Sequence, residues 1–185
     1  MNKFSKILLA AIVAACLAFS AVALAGCGSG ADDEQQIRDL LSQDLDQIKS
    51  LDDDAIAEMT SGVSEEDAAI FEMVGLDMNE YIKAFFDGFD YEITDVTVND
   101  DDTATATVVC TMKSTAEIQA AWEESMANIT GDDLTAIGQA MMDGIASVSP
   151  SQMDPITINL HKDSDGNWQE DDDVSSTFAD ALLAA

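Results

Sequence analysis

Residues 91–113 read YEITDVTVNDDDTATATVVCTMK, and this stretch decides the fold. From Thr103 onward nearly every second residue is apolar and threonines fill most positions between them, which is typical of a β-strand with one buried face. The earlier part alternates as well, but its phase reverses at Thr94–Asp95, which predicts a β-bulge. The aspartate-rich residues 99–102 favour a turn. The stretch therefore predicts an antiparallel β-hairpin.

A second hairpin is predicted near the end of the chain. Residues 156–161, ITINLH, alternate in polarity, residues 163–167 favour a turn, and residues 168–174 return as the partner strand. The segment between the two hairpins, 114–150, is a helical insertion that either forms a lid over one end of the sheet or belongs to the core.

Helices are predicted wherever apolar residues recur every three or four positions. They lie at 32–51, 52–59, 64–74, 77–86, 115–129, 132–145 and 175–185. This order predicts an α+β fold with one curved antiparallel sheet packed on the N-terminal helices. Residues 32–185 would form a single domain.

The first 26 residues have the layout of a secretory signal peptide. Lys3 and Lys6 come first, and residues 7–26 contain only apolar and small residues. A run of this length can also span a bilayer, which takes about 20 residues, so an uncleaved transmembrane helix is the alternative.

Leu24-Ala25-Gly26-Cys27 resembles the lipobox of bacterial lipoproteins. The resemblance implies that the Cys27 thiol receives a diacylglycerol and that the chain is cleaved between Gly26 and Cys27. Residues 1–26 would then be a lipoprotein signal peptide, and residues 27–31 a lipidated cysteine with a short spacer. Two acyl chains make a firm anchor. We therefore expect a palmitate-labelled protein outside the cytoplasm, held on the bacterial cell membrane by its lipid.

The lipobox, the N-terminal helices, the first hairpin and residues 156–172, ITINLHKDSDGNWQEDD, together resemble small bacterial lipoproteins with an NTF2-like (cystatin-like) domain. The turn Asp165-Gly166-Asn167-Trp168 matches the commonest signature of such domains. The resemblance implies a cone-shaped sheet with a cavity. It implies no particular activity, because that fold carries enzymes, carriers and interaction domains alike.

The chain is strongly acidic, with 37 Asp+Glu, 7 Lys+Arg and a net charge of −30. This charge argues against nucleic acid as a partner, since phosphates are bound by lysine and arginine, and against docking on anionic headgroups. It allows weak binding of divalent cations. Cys16 lies in the leader and Cys27 would carry the lipid, so no disulfide partner remains for Cys110. We expect a buried, inert thiol there.

Few residues offer catalytic or metal-binding chemistry. His161 is the single histidine and alternates with apolar neighbours, so we expect it to face solvent, and the usual zinc ligand sets are missing. Residues 163–167 resemble the start of a calcium loop, but Trp168 and Val174 occupy the positions of its glycine and closing glutamate. Asp95 is the one acid that interrupts an apolar alternation. We expect no metal site and no cofactor.

Aromatic side chains form the remaining candidate site. They either belong to the core or line an apolar cavity for a hydrophobic ligand. The candidates are Tyr81, Phe85, Phe86, Phe89, Trp122 and Trp168. The first hypothesis is a membrane-anchored, non-enzymatic domain that binds an envelope protein or a small apolar ligand. The alternatives are a cavity enzyme of isomerase or hydrolase type, using Asp95 or His161, and an acidic surface-coat lipoprotein.

Overall fold

The computed structural model describes residues 30–171 without 62, 64, 100–101, 128 and 130–132. The predicted signal peptide, Cys27, the end of the last predicted strand and the predicted helix at 175–185 lie outside the described residues.

Helices and strands follow the predicted order, with four helices ahead of the first hairpin and two between the hairpins. The elements are α1 (Gly30–Ser50), α2 (Asp53–Ser61), α3 (Glu65–Met73), α4 (Met78–Phe86), β1 (Asp90–Val98), β2 (Thr103–Met112), α5 (Thr115–Met126), α6 (Leu134–Ser147), β3 (Ser151–Gln152), β4 (Ile156–Lys162) and β5 (Trp168–Glu170). The short strand β3 was not predicted. α1 begins two residues earlier than predicted, so the last two residues of the predicted spacer belong to the helix.

The strands form one curved antiparallel sheet in the order β1-β2-β4-β5, and β3 pairs with the end of β2. Ile93 pairs with Val108 and Asp95 with Thr107, so Thr94 is the extra residue of a β-bulge. The predicted bulge is confirmed. The predicted α+β class is confirmed as well.

The core lies between the inner face of the sheet and the helices. Alternate residues of β2 and β4 are buried on this face. They meet the apolar stripe of α1, which consists of Ile37, Leu40, Leu41, Leu45 and Ile48. Ile118 of α5 and Ile145 of α6 belong to the same cluster. The helical insertion is therefore part of the core rather than a lid, and each large side chain buried there contributes about 1.5–3 kcal/mol.

Helix α1 lies against both outermost strands of the sheet, β1 and β5. The guanidinium of Arg38 donates to the carbonyl oxygen of Ile93 at the bulge, 2.8 Å away. On the other side, the indole N–H of Trp168 donates to Asp33 over 3.2 Å. α1 therefore contacts both strands that are outermost among the described residues.

Helix starts and one buried lysine position the remaining helices. The Asp77 carboxylate accepts hydrogen bonds from the backbone N–H groups of Asn79 and Glu80, which caps α4 where the sequence predicts its start. Asp133 caps α6, one residue later than the predicted start at 132. Lys113 is buried after β2 and donates to the carbonyl oxygen of Ala84 over 2.7 Å. This contact ties the last turn of α4 to the end of β2.

Glycine at position 138 allows α6 to cross the end of α3 closely. A Cβ atom at Gly138 would lie 2.2 Å from the carbonyl oxygen of Val74. Gly144 is less tight, since a Cβ atom there would lie 3.2 Å from the backbone nitrogen of Trp122.

We expect Gly138→Ala to lower the free energy of unfolding by about 1–3 kcal/mol, because the new methyl group forces the backbone of α6 away from Val74. Urea denaturation measures this change. Gly144→Ala is the matched control and should cost less. Equal stability of Gly138→Ala and the wild type would contradict the close crossing.

Candidate functional site

The aromatic side chains predicted to line a cavity lie together in the core. Tyr81, Phe85, Phe86, Phe89 and Trp168 belong to one buried cluster. The rings of Phe85 and Phe86 meet edge to face with 5.0 Å between centroids, and those of Phe86 and Phe89 with 6.1 Å. Such contacts stabilise a core without any ligand. That these rings line a cavity stays a prediction.

Trp122 stands apart from the other five. It is partly buried against the edge of the same cluster from α5. Its indole N–H is buried and has no hydrogen-bond acceptor among the described residues.

Burial raises the pKa of Tyr81, so its phenol stays neutral at physiological pH.

The two residues proposed for an enzyme do not come together. Asp95 is exposed at the bulge and accepts a hydrogen bond from Thr97 over 3.0 Å. His161 is exposed on β4, with Nδ1 2.7 Å from a carboxylate oxygen of Asp171. They lie on strands separated by β2, Asp95 opposite Thr107 and His161 opposite Thr103. The register therefore does not bring the two groups together.

Asp163 organises the turn between β4 and β5. Its carboxylate accepts from the backbone N–H groups of Asp165 and Asn167, both at 2.9 Å. The hydrogen bond from Asn167 leads the interactions that lower the pKa of Asp163. The predicted turn is therefore held by the same carboxylate that a calcium loop would need. Among the described residues, no group of three or more His, Cys, Asp or Glu side chains could hold a metal ion.

Cys110 is fully buried on the inner face of β2. Burial raises the pKa of its thiol to about 12. Because the thiolate is the nucleophilic form, this cysteine is chemically inert in the folded protein, as predicted.

The densest buried polar cluster lies between the first turn of α1 and the second hairpin. Asp33 is buried, and its two carboxylate oxygens each lie 3.0 Å from the ammonium of Lys162. One of them also accepts the indole N–H of Trp168. The ammonium lies 4.9 Å from the centre of the Trp168 ring. We call these three residues the α1 clasp.

A pair of acids, Asp44 on α1 and Glu170 on β5, lies farther along the same side of the helix. Asp44 is buried, eleven residues after Asp33 and therefore on the same face of the helix. Burial, and next to it the charge of Asp44, raise the pKa of Glu170 on β5 from 4.5 to about 7. Glu170 is thus a carboxyl group that exchanges its proton near neutral pH.

Sequence reasoning missed these buried polar residues, although part of the signal was present. Asp33 and Asp44 occupy positions of the apolar stripe, four residues before Ile37 and four before Ile48. An acid on a buried stripe predicts a buried partner. No comparable signal marked Lys113 or Glu170.

The chain matches no protein-family model, and no curated protein matches it in sequence. Among solved structures, YcdA, a provisionally assigned lipoprotein of Bacillus subtilis, matches with a TM-score of 0.45 and 13% sequence identity. The match covers 96% of this chain and 57% of that chain, so this chain spans little more than half of its length. A likeness at this level carries no conclusion about family or role.

We expect Glu170→Gln to be more stable than the wild type at pH 8, by about 1–3 kcal/mol. The folded protein holds a proton on Glu170 that the unfolded chain releases above pH 4.5. The stability that this proton contributes is complete below pH 4.5 and is lost as the pH rises through 7. The neutral amide of the variant cannot ionise, so the variant does not lose this stability as the pH rises.

Denaturation in urea between pH 4.5 and pH 8 checks this expectation. The difference between variant and wild type should vanish toward pH 4.5. Glu92→Gln, on the exposed side of β1, is the control and should show no such trend. A pH-independent difference would contradict the titration of Glu170.

Proposed function

We propose that this chain is a lipoprotein that displays an acidic, non-enzymatic binding domain outside the cytoplasm, anchored to the cell membrane by the lipid on Cys27. The observation that carries the proposal is Leu24-Ala25-Gly26-Cys27 at the end of an apolar leader. Helix α1 begins at Gly30, three residues after the cysteine. The arrangement gives a lipid, a very short spacer and then a packed domain.

A protein partner is favoured over a small ligand held among the aromatic rings. The rings contact one another and the rest of the core. Met73 at the end of α3 and Leu134 at the start of α6 are large apolar side chains with exposed fractions of 57% and 41%. α3 and α6 contact each other, so both residues belong to one helical layer. We propose that these two exposed side chains contribute to a contact with a protein partner.

A non-enzymatic role is supported by the positions of the polar groups. Asp95 and His161, on which the enzyme alternative depends, are exposed and lie on separate strands. Asp33 and Lys162 form an ion pair with each other.

Among the described residues, no helix is long and apolar enough to cross a membrane.

We expect Cys27→Ser to abolish incorporation of labelled palmitate, because the acylated thiol is lost, and to leave an uncleaved precursor that the apolar leader still holds on the membrane. Cys16→Ala, which removes a thiol from the leader, is the matched control and should still be labelled. A protease added to cells whose outer layers it can cross should degrade the wild-type protein, because we propose that the domain lies outside the cytoplasm. Equal labelling of the wild type and Cys27→Ser would refute the lipid anchor.

Native mass spectrometry tests the binding part of the proposal. We expect the purified protein to carry its covalent lipid and no additional apolar molecule, because the aromatic side chains pack on one another. Release of a co-purified hydrophobic compound would instead favour the small-ligand alternative.

A further inference from the structure

We propose that the α1 clasp fixes the orientation of the domain on the membrane, with the β1–β2 and β4–β5 turns facing the lipid and the start of β1 pointing away. This inference rests on the proposed anchor at Cys27. It adds to that anchor a defined membrane-facing end of the domain.

The first step is the length of the tether. Three residue steps separate Cys27 from Gly30, where α1 begins. A fully extended chain spans at most about 3.3–3.6 Å per residue. The start of α1 therefore lies within about 10 Å of the lipidated cysteine, and the domain cannot place a distant surface on the bilayer if α1 is held rigidly.

The second step is the clasp itself, which holds the first turn of α1. Isolated helix ends fray, but Asp33 binds Lys162 at the end of β4 and Trp168 at the start of β5. The side chains of Lys162 and Asp33 are only 18% and 8% exposed, so solvent screens this ion pair little. The tethered end of α1 is thereby joined to the second hairpin at its turn.

The third step is the direction of α1. Farther along the helix, Arg38 binds the carbonyl of Ile93, and Lys49 forms an ion pair with Asp90 over 2.7 Å. The later residue of the helix, Lys49, contacts the earlier residue of the strand, Asp90, so α1 runs antiparallel to β1. A helix of 21 residues is about 32 Å long. Lys49 follows Asp33 by 16 residues, so the Lys49–Asp90 end lies about 24 Å farther along the helix than the clasp.

The fourth step identifies what lies beside the clasp. The backbone N–H of Lys162 donates to the carbonyl oxygen of Asp102 over 2.9 Å, which joins the turns of the two hairpins. Asp102, Ser164 and Asp165 are exposed there. The membrane-facing end thus carries Asp102 and Asp165, and the short tether together with the clasp, not attraction to lipid headgroups, sets the orientation.

Energy transfer to a dye on lipid headgroups tests this orientation. The lipidated full chain is reconstituted in bilayer discs, with the donor dye attached through Ser164→Cys at the near end or Ser50→Cys at the end of α1. The fully buried Cys110 should not react. We expect transfer from the Ser164→Cys site to be at least about twofold more efficient, given a separation of about 25 Å along α1 between the clasp and Ser50.

Asp33→Asn should reduce this ratio toward one, because it weakens the ion pair of the clasp. Asp32→Asn removes the same charge at the exposed neighbouring acid and is the control, which should keep the ratio of the wild type. Should Asp33→Asn unfold, inserting about ten Gly and Ser residues between Ser29 and Gly30 loosens the tether without touching the folded part.

The outcomes separate this inference from the proposed function. Equal or reversed transfer from an anchored wild-type protein would overturn the orientation and leave the lipid anchor intact. If the longer tether leaves the ratio unchanged, the short tether does not set the orientation, and this part of the inference is overturned. Failure of Cys27 to take up lipid would overturn the anchor, and the inference with it.

Discussion

The fold depends on one helix that contacts both outermost strands of its sheet. A sheet ordered β1-β2-β4-β5 presents unpaired backbone groups at two edges, which would otherwise recruit another chain. α1 meets β1 through Arg38 and β5 through Asp33, and its apolar stripe fills the space between the two contacts. Core formation, the contacts with both outermost strands and the link to the leader thus fall on the same helix.

The large negative charge is accommodated by giving many acids a local hydrogen-bonding role. Asp77 and Asp133 cap helices, and Asp163 closes a turn. Each accepts backbone N–H groups that would otherwise lack partners. Glu170 follows another rule, because burial and the charge of Asp44 raise its pKa to about 7, so the carboxyl group keeps a proton close to neutral pH. The position of an acid in the fold, rather than the total charge, decides its effect on stability.

Local patterns allowed the sheet to be predicted, whereas contacts distant in sequence could not be. Strict alternation gave β2, and the phase reversal at Thr94–Asp95 gave the bulge. The clasp joins residues 129 positions apart, Asp33 and Lys162, and no periodicity specifies such a pair. β3 has two residues, too few for any alternation to be read. For the aromatic residues, the pattern identified a cluster but could not distinguish a packed core from a lined cavity.

The buried position of Cys110 has a consequence for how the protein matures. The fully enclosed thiol is its one cysteine within the described residues, and burial keeps it protonated. Folding of this part of the chain therefore requires neither an oxidant nor a disulfide isomerase, and within the described residues hydrogen peroxide or glutathione finds no accessible sulfhydryl to modify. Within the described residues, the state of the cysteine is therefore the same in reducing and in oxidising surroundings.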